Sequence, residues 1–264
     1  MKKICIILIS IVFIICIIFI LNNNTSDTLN VIRTRGVLLV GTTGDYCPMS
    51  CYDKTKNEYI GFDIALSEDL AKSLNVKVKY VPTTWPTLML DVKNKKFDIA
   101  ISGITITNNR KKEALMSDGY LDNGKTILCR KEDVDKYNSL DAINKPYVKV
   151  MENPGGLNEK FVKENLPNSD LIIHNVNSEI PYLISIGKAD VMITEKIEAF
   201  YYSKKYKNLA LPLMNKSLTK GQIGMLIPNE NTQLHKYVNK FINREKRIGK
   251  IDELSKQYIY NYTD

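Results

Sequence analysis

Two glutamates three positions apart, Glu195 and Glu198 in the segment TEKIEA (194–199), could carry acid–base chemistry. Such a pair at a helix start has two readings. In water they are first-turn acids that complement the helix dipole. Enclosed together, burial and mutual repulsion raise the pKa of one of them, leaving a neutral acid able to donate a proton. Four more segments concentrate polar groups: GTTGDYCP (41–48), PTTWP (82–86) with the single tryptophan Trp85, SGITITNNR (102–110), and NPGGLNE (153–159). Arg110 closes the third, and its planar fork suits bidentate recognition of a carboxylate. Each segment also has a plainer reading. Trp85 could be core, Arg110 a solvated strand exit, and NPGG a turn, since it lacks the lysine and spacing of a phosphate loop. The only histidines are His174 and His235. No nucleophile–histidine triad or metal motif can be assembled from them. The C-x3-C pair Cys47 and Cys51 lacks the partners of a zinc site.

Something must hold these segments together, and the hydrophobic pattern supplies it. VLLVGT (37–42), VKVKYV (76–81), FDIAI (97–101), KTILC (125–129), VKVME (148–152), LIIHN (171–175), ADVMIT (189–194) and QIGMLI (222–227) read as strands. Between them, 61–74, 86–94, 155–166, 178–188 and about 195–206 read as helices, with apolar residues such as Phe62, Leu66, Leu70 and Leu74 on one face. Two more helices are predicted over about 232–245 and 247–260. Strands alternating with helices imply parallel α/β sheets. In such sheets ligands bind where strands end and helices begin, which is where the five polar segments fall.

The bulk properties narrow the function classes. The chain has 264 residues, room for two lobes of roughly 100 residues each. Its net charge of +8 comes from scattered lysines, not a basic block interleaved with aromatics, so nucleic-acid binding is not expected. The positive field favours small anionic substrates. After Lys2 and Lys3, an apolar run from Ile4 to Leu21 would extend about 27 Å as a helix. Residues 1–21 therefore read as a signal peptide or membrane anchor, with the body outside the cytoplasm, and 22–30 as a linker. Outside that run are three cysteines, Cys47, Cys51 and Cys129, which permit at most one disulfide.

In their order, VGTTGDYCP, PTTWPTLM, FDIAISGITIT, LDNGKT, NPGGLNEKF and KADVMITEKIEA resemble the type-3 extracellular solute-binding proteins, and within them the cyclohexadienyl dehydratases. The resemblance covers about residues 31–262. It implies a periplasmic-binding-protein-like type II fold: two α/β lobes joined by two hinge strands, behind an N-terminal membrane segment. Lobe 1 would comprise 31–124 plus 221–264, and lobe 2 would comprise 125–220. The site would lie in the cleft between them.

The resemblance also assigns residues. Arg110 matches an arginine that clamps a ligand carboxylate, with Ser102 and Thr105 as small hydroxyl positions beside it. Asp45 and Trp85 match cleft positions, with Trp85 stacking on a ring. Lys125 matches a lysine able to meet a second carboxylate, and Asn153 and Asn158 match two orienting asparagines. Glu195 stands where amino-acid binders carry an aspartate for the ligand ammonium. Glu198 matches the general acid. Two departures bear on substrate choice: Leu157 replaces a common threonine, and Glu195 is one methylene longer than the usual aspartate. The implied reaction is decarboxylating dehydration of prephenate or arogenate, small dicarboxylates. It needs no cofactor, because aromatisation drives it. The competing reading is an amino-acid receptor working with an ABC permease. A sensory domain would continue into a signalling region that this sequence does not supply.

Overall fold

The structure, a computed structural model, describes residues 28–260. The apolar run over 1–21 lies outside the described residues, as does 22–27 of the expected linker. From Thr28 the chain is already helical, where a linker was expected. Helix α1 (Thr28–Arg35) buries Leu29 and Ile32 and leads into strand β1 (Val37–Thr42). A three-stranded excursion follows: β2 (Asp45–Tyr46), β3 (Ser50–Asp53) and β4 (Glu58–Ile60). Next come α2 (Phe62–Leu74), β5 (Lys77–Pro82), α3 (Leu88–Lys93), β6 (Ile99–Ala100), α4 (Asn108–Glu113) and β7 (Leu115–Met116). Strand β8 (Leu121–Asn123) crosses to β9 (Lys125–Arg130), α5 (Leu140–Ile143), β10 (Lys149–Glu152), α6 (Leu157–Asn165), β11 (Asp170–Ile173), α7 (Ile180–Ser185), β12 (Val191–Glu195), α8 (Lys196–Lys205) and β13 (Leu209–Ala210). Strand β14 (Gly221–Ile223) returns to β15 (Leu226–Ile227), α9 (Thr232–Arg247) and α10 (Lys250–Ser255).

Two five-stranded sheets result, with orders β5-β1-β6-β15-β7 and β11-β10-β12-β9-β13. They repeat one plan. In each, a first strand (β1, β10) lies between two parallel partners, and a strand from the other end of the chain segment (β15, β9) joins antiparallel. The chain passes between the sheets through β8 and β14, which pair antiparallel from Gly221–Asn123 to Ile223–Leu121.

Both sheets are covered on two faces. Leu66 and Leu70 of α2 are fully buried against the first sheet with Val40, Ile99 and Leu234. Each such leucine contributes roughly 1.5–3 kcal/mol by leaving water. On the second sheet, period-two alternation sorts the residues. Ile127, Cys129, Val150, Val191 and Ile193 pack with Val162 of α6, while Leu128, Met151 and Met192 pack with Ile184 of α7 and Tyr202 of α8. Cys47 and Cys51, whose pairing the sequence left open, form a disulfide across β2 and β3, and Cys129 is a buried thiol.

Candidate active site

Alternation on β12 places the two glutamates. Val191 and Ile193 face α6, so Glu195, two further on, faces the same side as Lys125, its antiparallel partner. Thr194 points to the opposite side, toward α8, one turn below Glu198. The two carboxyls therefore live in different surroundings although they are neighbours in sequence.

Glu195 is ion-paired. Its Oε1 accepts from Lys125 Nζ at 3.0 Å, and its Oε2 accepts from the Tyr46 hydroxyl at 2.8 Å. Lys125 Nζ also donates to Asn158 Oδ1. Burial pushes the Glu195 pKa up, but the Lys125 charge and the Tyr46 and Lys125 hydrogen bonds outweigh it and hold the carboxyl below its usual value. Glu195 is an anion at neutral pH. Glu198 is 0 % exposed, accepting from Asn177 Nδ2 at 2.7 Å and from the Thr194 hydroxyl. Burial first, then the Glu195 and Asp45 carboxyls, push its pKa well above the carboxylate range, while the Thr194 and Asn177 bonds only partly offset this. The balance favours the protonated form of Glu198.

The opposite wall comes from the first sheet. Ser102 accepts from Thr43 N at 3.3 Å and shares a 2.7 Å hydroxyl contact with Thr43 Oγ1, tying the ends of β1 and β6 together. Thr107 caps α4 by accepting from Arg110 N at 3.2 Å. That fixes Arg110, whose Nη1 donates to Thr105 O at 2.8 Å. Desolvation, only partly offset by the Glu195 charge, lowers the Arg110 pKa to about 10, so the guanidinium stays charged at neutral pH. Trp85 donates from Nε1 to Asp45 Oδ1 at 3.1 Å, with the Tyr46 ring edge-on at 5.7 Å. Asp45 has its pKa raised by burial, against hydrogen bonds from Thr43 and Trp85.

These walls enclose a crevice of about 20 Å³, enough for one water. Of the ten residues singled out in the sequence, Trp85, Thr105, Arg110, Asn153, Asn158 and Glu195 line it. Lys125 lines an adjoining space of about 380 Å³ that shares Thr105, Leu157 and Glu195 with the crevice. Asp45, Ser102 and Glu198 stand behind the walls: Asp45 orients Trp85, Ser102 ties two strand ends, and Glu198 is reached through Asn177. Three side chains were missed. Tyr46 and Asn177 line the crevice. Glu152, fully buried at the end of β10, accepts from Ile193 N at 2.7 Å and has no partner for Oε2. A charge directly after the apolar pair Val150 and Met151, at the end of β10, was the signal available for Glu152. Tyr46 sat unremarked inside GDYCP, and nothing local marked Asn177.

The two sides meet closely. Gly155, before α6, has φ +76°, and a Cβ there would fall 2.7 Å from Pro86 Cα on the opposite wall. Gly155→Ala is expected to hold the walls apart, giving a larger radius of gyration by small-angle scattering and at least tenfold weaker ligand binding. Gly36→Ala is the control. Its φ of +69° brings a similar backbone strain of about 1–2 kcal/mol, but nothing lies within 4 Å of its Cβ position. Equal scattering from the two variants would show that Gly155 does not set this approach.

A family profile described as bacterial extracellular solute-binding proteins, family 3, matches residues 38–261. The cyclohexadienyl dehydratase of Pseudomonas aeruginosa is 35% identical over 228 residues, which are 86% of this chain and 84% of that one. The L-cystine-binding protein TcyJ of Escherichia coli K12 is 26% identical, covering 88% of this chain and 85% of that one. Among solved structures, an ancestral amino acid-binding protein described as a precursor of cyclohexadienyl dehydratase superposes with TM-score 0.81 at 38% identity, covering 88% of this chain and 99% of that one. An ancestral cyclohexadienyl dehydratase is 46% identical with TM-score 0.56, covering 89% and 97%.

Proposed function

The chain belongs to family 3 of the bacterial extracellular solute-binding proteins, and from that premise we propose that it is an enzyme, a cyclohexadienyl dehydratase acting on prephenate, arogenate or both. One observation carries the reading beyond the family: Glu198 is a fully buried carboxyl one side chain behind a crevice lined by Arg110, and burial beside the Glu195 and Asp45 carboxyls favours its protonated form. A receptor has no need of a proton donor. The relatives named dehydratase, at 35% and 46% identity, support the same choice.

The chemistry follows from the two charge states. Arg110 holds the side-chain carboxylate that persists into product, and Trp85 covers the ring. Glu198 gives its proton to the departing ring hydroxyl. Water and carbon dioxide leave together, and the electrons of the broken bond to carbon dioxide complete the aromatic ring. A clamp on the departing ring carboxylate would stabilise the ground state and slow the reaction, so Arg110 belongs on the other one. Ser102, Thr105, Asp45, Lys125, Asn153, Asn158 and Glu195 shape and charge the pocket.

The crevice as it stands is too small for such a substrate, so the reaction requires opening. β8 and β14, where the chain crosses, are the hinge, separating lobes of 31–124 plus 221–264 and 125–220. A relative 46% identical yet with TM-score 0.56, against 0.81 for one at 38%, fits parts that keep their folds and change their mutual placement. The protein works outside the cytoplasm, tethered or secreted, with residues 1–21 as membrane anchor or signal peptide.

Because Glu198 must be protonated to act, kcat is expected to be level at low pH. It should fall about tenfold per pH unit above the raised pKa of Glu198. A kcat–pH profile falling already from pH 4.5 upward would be that of an ordinary carboxyl and would count against the assignment. The direct test is to add prephenate and arogenate to the purified protein and follow phenylpyruvate and phenylalanine. In parallel, arginine, lysine, histidine, glutamine and cystine are titrated calorimetrically. Turnover is expected. Tight amino-acid binding without turnover would make the chain a transport receptor.

A further inference from the structure

Asn177 carries a complete set of polar contacts except at one atom. Its Nδ2 donates to Glu198 Oε1 at 2.7 Å and to Asp45 O, on the opposite wall, at 3.1 Å. Those two acceptors use both N–H bonds and fix the orientation of the amide. Oδ1 is buried and has no hydrogen-bond partner. The side chain is 1 % exposed and lines the crevice. A buried amide oxygen left unpaired is destabilising, and a ligand hydroxyl donating to it would remove that penalty. The atom therefore asks for a donor, within one side chain of the acid.

Resting on the dehydratase reading above, we propose that Asn177 is a further catalytic residue whose Oδ1 accepts the hydrogen of the substrate's ring hydroxyl while Glu198 protonates that hydroxyl's oxygen. The balance is simple. The Glu198 proton moves to the hydroxyl oxygen, the C–O bond breaks, and its electron pair leaves with water. The bond to the ring carboxylate breaks with its pair entering the ring, and Glu198 is left as a carboxylate for solvent to reprotonate. As the proton arrives, positive charge grows on the departing oxygen and its hydrogens. A fixed amide oxygen that accepts one of those hydrogens stabilises that state more than the ground state. The same side chain holds Glu198 through Nδ2, so acid and leaving group are positioned by one amide.

The competing explanation is that Asn177 only ties the walls through Nδ2 and Asp45 O. Two variants separate them. Asn177→Leu removes donor and acceptor at similar volume, whereas Asn177→Asp removes the donor and keeps an acceptor oxygen. Both lose the tie, so KM is expected to rise alike in both. On prephenate, kcat is expected to fall at least 100-fold in Asn177→Leu and no more than about tenfold in Asn177→Asp. In a Glu198→Gln background, where no proton arrives, Asn177→Leu is expected to lower kcat less than threefold further. Equal kcat losses in the Leu and Asp variants, or a Leu variant within threefold of wild type, would overturn the proposal. If Asn177→Leu does not fold, Asn177→Ala takes its place under the same criteria. Wild-type turnover with equal variant losses defeats this inference alone. No wild-type turnover of prephenate or arogenate defeats it together with the dehydratase reading.

Discussion

Glu198→Gln is expected to lower kcat for prephenate by about 10³-fold while leaving KM within threefold of wild type. The size follows from losing a positioned general acid, about 10²–10⁴-fold. The specificity of the effect follows from the surroundings. Glutamine keeps Oε1, so Asn177 Nδ2 still has its acceptor. The Thr194 hydroxyl, which donates to Oε2, can rotate and accept from the new amide nitrogen. Burial favours the protonated form of the wild-type acid, and from that form the substitution removes a proton and no charge. The fold and the binding site should therefore survive, and calorimetry with prephenate should show binding of wild-type strength by the inactive variant. Normal turnover by Glu198→Gln would remove the proton donor from the scheme. Loss of binding together with turnover would mean that the residue is structural.

The same neighbourhood marks where the sequence was legible and where it was not. ADVMIT (189–194) reads as a buried strand because its apolar run and flanks are local properties, and β12 forms there, running on to Glu195, which was expected to open the helix. Arg110 stood out because a lone arginine follows a run of small and hydroxyl residues. The pairing of Glu195 and Glu198 was legible; their division of labour was not. It depends on which face of β12 each reaches, and on Lys125, seventy positions away, taking Glu195. That lysine was expected to meet a substrate carboxylate and in the closed protein meets the protein's own. Tyr46 and Asn177 escaped notice because their partners lie 149 and 132 positions off. β6 and β15 fall inside the segments FDIAI and QIGMLI that read as strands, whereas β2, β7 and β13 are two-residue strands too short to show a period and defined only by the strands beside them. The excursion from Asp45 to Ile60 buries Tyr46, Met49 and Ser50 at its start and exposes most of 52–60, so no regular hydrophobic alternation announced it.

Charge balance decides what the arginine is for. Glu195, on the crevice wall, is neutralised by Lys125, and burial pushes Glu198, behind the wall, and the buried Glu152 toward their neutral forms. Arg110 is then a cation whose guanidinium makes, among the described residues, one hydrogen bond, to the neutral oxygen of Thr105. A partly desolvated guanidinium with unused donors is an incomplete ion pair, and an anionic ligand completes it.

Arg110→Ala is accordingly expected to raise KM for prephenate at least 100-fold, with kcat changing less than tenfold. Truncating one partner of a buried charge pair costs about 2–5 kcal/mol, which is about 30- to 4,000-fold in affinity at 1.4 kcal/mol per decade. The carboxylate that Arg110 holds is the one unchanged by the reaction, so the interaction is equally strong in ground and transition states. Its loss should appear in KM and spare kcat. Arg110→Lys keeps the charge and loses the fork, so a smaller rise in KM, about tenfold, is expected. Steady-state kinetics on the two variants, read beside Glu198→Gln, would then show binding and proton transfer failing separately. If Arg110→Ala instead lowered kcat as steeply as kcat/KM, the arginine would be acting on charge that develops during the reaction. The departing carboxylate, not the persistent one, would then be its partner.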